Sequence, residues 1–196
     1  MERRPTLSLN EWAVLGVLVD DAHHGYDIAA ALQPGTPIGD AWRLTRQLVY
    51  RALERLEALG LVQPCRTEPS VAGPPRTIYE PTPRGRATLE AWLDTPVAHL
   101  RDVRNAFLLK LLIADLLHVD TRRLIRAQRD AFAELFDRLA VPPPTADVVA
   151  TWRHHSAVAV AGFLDALDHP DPGDTSVGRG PAAVEGGRPG ADRRPR

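Results

Sequence analysis

Apolar side chains recur at helical intervals through most of the chain, and the main exception is a short stretch between residues 61 and 80. A first helix is expected from about Leu9 to Asp20, capped by Ser8 or Asn10, with Leu9, Trp12, Ala13, Leu15, Leu18 and Val19 on adjoining faces. Asp21 to Gly25 break that pattern. A second, short helix turns Ile28, Ala31 and Leu32 inward and stops in a turn made by Pro34, Gly35, Pro37 and Gly39. The third is the best defined. Thr45 supplies an N-cap, Leu48, Val49, Ala52, Leu53, Leu56 and Leu59 repeat at helical spacing, and Gly60 stands where a C-terminal glycine belongs.

Leu61 to Thr67 and Thr77 to Glu80 then read as two strands around a loop from Glu68 to Arg76 that holds Pro69, Ser70, Gly73, Pro74 and Pro75. Pro81 has no N–H for a ladder, so the second strand ends or becomes an edge there. Thr82 caps a fourth helix with Pro83 in its first position, running to about Leu93. Two helices, a capped third helix and a hairpin are the order that a winged helix-turn-helix requires.

The second half is helical throughout its pattern. Arg101 to Leu117 is apolar around most of its circumference, as a helix packed between others must be. Thr121 to Leu139 carries a stripe of Leu124, Gln128, Phe132, Leu135, Phe136 and Leu139, and the prolines at 142–144 end it. From Thr145 a last helix presents Val149, Trp152, Ser156, Ala159, Phe163 and Ala166 at a three-then-four spacing suited to packing along a partner helix, so these six are the expected dimerisation residues. Between Pro170 and Arg196, eleven residues are Pro or Gly, a composition that predicts a disordered tail. The expected fold is mainly α with a small β-hairpin. Residues 1–95 form a winged helix-turn-helix, 96–169 a helical dimerisation and effector domain, and 170–196 the Pro/Gly-rich tail.

Charge alters this picture only locally. The net formal charge of the 196 residues is -1, so any nucleic-acid reading rests on where the cations sit rather than on their number. They gather at the start of the third helix. With its apolar face buried, that helix turns Arg46, Gln47, Tyr50 and Arg51 outward at the end that would lie deepest in a major groove, and Arg43 stands just before the Thr45 cap. Arginine can bond two acceptors of guanine, glutamine two groups of adenine, and a tyrosine hydroxyl a phosphate. Arg76, on a hairpin stiffened by Pro74 and Pro75, adds a cation that a minor groove or a backbone could receive. Glu54 and Glu57 fall toward the other end.

Rival chemistry finds little support. Cys65 is the single cysteine, which excludes an internal disulfide and a cysteine zinc site and fits a reducing cytoplasm. His23-His24 and His154-His155 are adjacent pairs, which do not point to one side of a helix as metal ligands would. No nucleophile elbow, phosphate-binding glycine loop or calcium loop is present. No enzyme, metal or cofactor is expected. The most apolar run, Phe107 to Leu117, is too short for a bilayer and contains Lys110, the only lysine, and Asp115. Neither a signal peptide nor a membrane partner is expected, and the protein is read as cytoplasmic. A winged helix that docks protein and binds no DNA is the alternative that near-neutral charge keeps open.

Several motifs, in order, resemble the PadR-like transcriptional regulators. They are His24-Gly25-Tyr26-Asp27-Ile28, then residues 49–62 from Val49-Tyr50-Arg51 to Gly60-Leu61-Val62, Arg76-Thr77-Ile78-Tyr79, and Thr82-Pro83-Arg84-Gly85-Arg86. Trp92-Leu93, Arg101-Asp102 and Phe107-Leu108-Leu109-Lys110-Leu111 are similar to the linker and first C-terminal helix of the longer subfamily. The resemblance implies a homodimeric repressor that binds a near-palindromic operator on double-stranded DNA, released by a small aromatic or hydrophobic effector. It also implies that Tyr50 contacts DNA, whereas Tyr26 looks like a packing residue near the DNA face. The wing tip departs from the family's usual, more basic Gly-Arg-Pro-Arg run. Trp12, Trp92, Phe107 and Trp152 are candidates to line an effector cavity, since flat ligands stack on such rings.

Overall fold

A computed structural model describes residues 6–20, 23–69, 75–144 and 147–169. The expected tail at 170–196, the wing tip at 70–74 and the start of the last helix at Thr145 lie outside them.

The chain is mainly helical with one small antiparallel sheet. Helix α1 (Leu9–Asp20) is the centre of the first core. Ser8, not Asn10, caps it: Ser8 Oγ accepts from the Glu11 amide and Glu11 Oε2 accepts from the Ser8 amide, a reciprocal capping box. Asn10 is used elsewhere, accepting from the Trp42 indole at 3.1 Å. Trp12 through Leu18 are all buried because α4 (Arg46–Ala58), α5 (Pro83–Leu93) and α7 (Leu108–Leu116) pack around α1. α4 answers with Val49, Ala52, Leu53 and Leu56. Each such side chain contributes roughly 1.5–3 kcal/mol by leaving water, and together they fix the depth at which α4 sits.

Two elements depart from the sequence reading. The segment expected to be only a break contains strand β1 (His23–His24), which leads directly into α2 (Gly25–Ala31). The expected Pro-Gly turn contains a further short helix, α3 (Pro37–Ala41), capped by Thr36 with Pro37 in its first turn. β1 adds to the hairpin of β2 (Val62–Glu68) and β3 (Arg76–Pro81), giving the order β1-β3-β2 with β3 central. His23 pairs with Tyr79 and His24 with Ile78. β3 ends at Pro81, paired with Val62. The edge strand β2 tolerates Pro64 because a register shift between Pro64 and Arg66 accommodates it there.

Gly60 closes α4 at φ 66°, a left-handed conformation that a side chain would strain. Thr82 then ties the corner, donating to Gly60 O at 2.8 Å while accepting from the Gly85 amide at the start of α5.

A second core joins Val97, Val103, Phe107, Leu124, Ile125, Phe132 and Leu164. It is built by α8 (Arg122–Leu139) and α9 (Val148–Asp168), with α6 (Leu100–Asp102) and a π-helical turn at Val103–Phe107. The helical run from Leu100 to Leu116 therefore serves both cores. Val103 and Phe107 belong to the second, whereas Leu109 and Ile113 belong to the first, and the wide π turn lies at the hand-over. Buried Gln128 fastens the linker to α8: its Oε1 accepts from Val97 N at 2.7 Å and its Nε2 donates to Val97 O at 3.0 Å. No described helix is long and apolar enough to cross a membrane.

Candidate nucleic-acid interface

Because α4 commits one face to the core, its other face is fixed by elimination. Arg46, Gln47, Tyr50 and Arg51 are exposed along it, and Arg43 and Thr45 are exposed just before it. Thr45 caps the helix by accepting from the Leu48 amide, which leaves the positive end of the helix dipole facing the same side as the arginines. Gln33 braces this end from behind, its amide donating to both Ala29 O and Leu44 O. Between α2 and the start of α4 lies an open cleft of about 390 Å³ whose rim carries Tyr26, Arg43, Thr45 and Arg46.

The β1–α2 corner touches Arg46, Tyr50 and Arg76. The Arg46 guanidinium carbon lies 4.9 Å from the Tyr26 ring centroid, a cation–π contact. Gly25 lies under Tyr50 so closely that a β-carbon would stand 2.6 Å from Tyr50 Cε1. His24 caps α2, its Nδ1 accepting from the Asp27 amide at 3.2 Å. That leaves the proton on Nε2, which donates to Asp27 Oδ2 at 3.0 Å. Arg76 Nη1 lies 3.2 Å from the same Nε2. Sequence reasoning quoted His24 within a motif and gave Tyr26 to packing; their contacts join residues 20 to 52 positions apart, which local periodicity does not reveal.

The acidic residues of α4 fall on the other side. Tyr79, on β3, has its phenol pushed above the usual range by burial first, then by Glu57 and Glu54. On α4, Arg46 thus meets the α2 corner while Glu54 and Glu57 lie close enough to the sheet to act on Tyr79.

The four aromatic rings considered for an effector occupy three different places in the single chain. Trp12 and Trp92 stack on each other, centroids 4.5 Å apart and planes 9° from parallel. Phe107 is sealed in the second core. Trp152 is 73% exposed on α9 and borders a groove of about 880 Å³, floored by Leu108, Leu135, Val160 and Phe163 with Arg104 at its edge. Lys110 was not singled out for function by the sequence. Its amine is buried over the Trp92 ring, 3.7 Å from the centroid, and donates to Trp92 O. Burial alone pulls its pKa down to about 7. Of the six expected dimer residues, Val149, Trp152, Ala159 and Ala166 are exposed while Ser156 and Phe163 are partly covered. α9 turns His154, Ala157 and Leu164 inward toward α8 instead.

Comparison with known proteins bears on this arrangement. Residues 14–91, from within α1 through most of α5, match the model of the transcriptional regulator PadR-like family. This segment of the chain is similar to that family. The family is one of transcriptional regulators and not of enzymes. Among solved structures, Bacillus subtilis PadR in complex with operator DNA is 20% identical, covers 82% of this chain and 97% of its own, and has a TM-score of 0.44. The same protein with p-coumaric acid is 19% identical, with coverages of 82% and 96% and a TM-score of 0.41. The smu.1604c protein of Streptococcus mutans UA159 is 19% identical, with coverages of 80% and 96% and a TM-score of 0.40. No curated protein matches the chain.

Proposed function

We propose that this PadR-like regulator is a homodimeric repressor that reads a near-palindromic operator with the exposed face of α4. The observation that carries the proposal is the gathering of Arg43, Arg46, Gln47, Tyr50 and Arg51 at the capped end of that helix, inside the segment matched by the family. Thr45 sets the helix start, Arg46 and Gln47 read base edges, and Arg43, Tyr50 and Arg51 hold phosphates. Arg76 extends the contact from the wing. Two copies related by a dyad present their α4 helices about 34 Å apart, one turn of DNA.

The second copy docks on α9. Support comes from the exposed Val149 and Trp152, which continue into the groove bordered by Ser156, Ala159 and Phe163, with Ala166 one turn beyond. Such a contiguous apolar face is what an isologous interface uses. The effector is a small aromatic or hydrophobic molecule. Trp12, Trp92, Phe107 and Trp152 are its candidate contacts, and Trp152 is the most exposed of the four rings.

The test is a mobility shift on duplex fragments from the protein's own promoter, titrated with salt. A retarded complex that weakens steeply as salt rises is expected, since several arginines displace condensed counterions. No shift on any fragment would overturn the DNA reading in favour of a winged helix that docks protein. Sedimentation gives the dimer: a monomer at micromolar concentration refutes it.

A further inference from the structure

We infer that the corner His24–Asp27 is a positioning device for DNA recognition, in which Tyr26 fixes the guanidinium of Arg46 and so sets the protein's preference among base sequences. The inference rests on the DNA-binding reading above and goes beyond it by naming residues that act through the readers.

The geometry assigns one partner to each of three successive residues. His24, held by Asp27, lies against Arg76 of the wing; the missing side chain of Gly25 leaves room for the Tyr50 ring; and Tyr26 lies under Arg46. These partners come from β3 and from two turns of α4, so a single tight corner touches every element that faces the groove. Arginine carries large rotamer freedom, and a guanidinium reads guanine through two parallel bonds only when its plane is held. Arg46 is exposed, and among the described residues no carboxylate pairs with it. The Tyr26 ring is therefore its recorded restraint. Tyr26 itself is 52% exposed, more than packing alone would leave.

In this role Tyr26 differs from a residue that merely touches DNA. A hydroxyl on a phosphate would add to affinity for every sequence alike and, being uncharged, would release no counterion. A ring that holds Arg46 adds to the difference between sequences and leaves the salt slope alone.

The experiment uses the full chain. Wild-type protein selects duplexes from a random-sequence library, and the affinity for the selected duplex is then compared with that for an unrelated duplex over a range of salt. Tyr26→Leu should lower the ratio of the two affinities about tenfold, the order expected when one bidentate base contact is loosened. Its binding to the unrelated duplex and its salt slope should stay near wild type. Tyr26→Phe, which keeps the ring and loses the hydroxyl, should retain the ratio. Full preference in Tyr26→Leu would overturn the inference, as would equal losses in the two variants or a salt slope reduced by about one phosphate. If the wild type selects no duplex, the DNA reading falls and this inference with it. If the wild type selects one and Tyr26→Leu keeps the preference, only the positioning role falls. Thermal unfolding of both variants checks the fold, and loss of the fold in Tyr26→Leu alone shifts the decision to Tyr26→Met, which removes the ring but retains bulk.

Discussion

Replacing Lys110 by methionine should stabilise this protein at neutral pH. Lys110 is 2% exposed, and burial alone brings its pKa from 10.5 to about 7, with no carboxylate contributing. A fall of that size corresponds to on the order of 5 kcal/mol of penalty for the charged amine in the folded state. Methionine forgoes the amine's hydrogen bond to Trp92 O, worth about 2 kcal/mol for a charged donor, leaving a net gain of about 3. Methionine keeps the unbranched stem and removes the charge. Trp92 O is not orphaned by the change, because the Thr95 amide also donates to it.

The pH dependence isolates this cause from general packing gains. Below about pH 7 the amine is charged in both states and the wild type bears the whole penalty. Between about pH 7 and 10.5 the unfolded chain holds a proton that the folded chain has released, so wild-type stability rises with pH. The variant lacks that rise. Urea unfolding at one fixed protein concentration should therefore show Lys110→Met with a midpoint higher by about 1–2 M at neutral pH. The gap should close by roughly 1 kcal/mol per pH unit toward about pH 9.5. A variant less stable than wild type, or a gap constant with pH, refutes the reasoning.

Two further substitutions test the joints of the fold. Gln128→Leu strips both partners from the Val97 backbone in a buried site and should cost about 2–5 kcal/mol in the same unfolding assay. Thr82→Ala removes the cap of α5 and the bond to Gly60 O; a loss of about 1–2 kcal/mol is expected, and Thr82→Ser should recover most of it. At the groove-facing surface, Arg46→Ala or Gln47→Ala should cost about 1–3 kcal/mol of operator binding and relax base preference, measured against single-base variants of the selected duplex.

The parts of the fold that were legible in the sequence are those whose stop and start signals agree with their periodicity. α4 has the Thr45 cap, an uninterrupted apolar face and Gly60, and α5 has Thr82 and Pro83. α3 was missed although Thr36 and Pro37 repeat the signal that announces α5, because five residues between Pro34 and Trp42 carry too little periodicity to compete with the turn-forming Gly35 and Gly39. β1 has two residues and exists only because β3 lies beside it. The outward face of α4 could be read from its buried face alone, since a helix leaves no freedom once one side is fixed. The contacts of Tyr26, Gly25 and His24 could not, being products of how α2 docks. The same holds for the aromatic rings: type and spacing identified Trp12, Trp92, Phe107 and Trp152, but which of them meet depends on where the run from Leu100 to Leu116 passes from one core to the other.

That passage has a consequence for lineage. A π-helical turn is in effect one residue looped into an α-helix. Deleting a residue from a regular helix rotates everything beyond it by about 100°, which here would swing Leu109 and Ile113 away from α1. At Val103–Phe107 the widened turn can absorb the loss by closing to α-helical pitch, so both apolar faces keep their aim. Descendants one residue shorter at this point can thus share the architecture, and a gap there in comparing such chains marks a tightened coil rather than a missing piece.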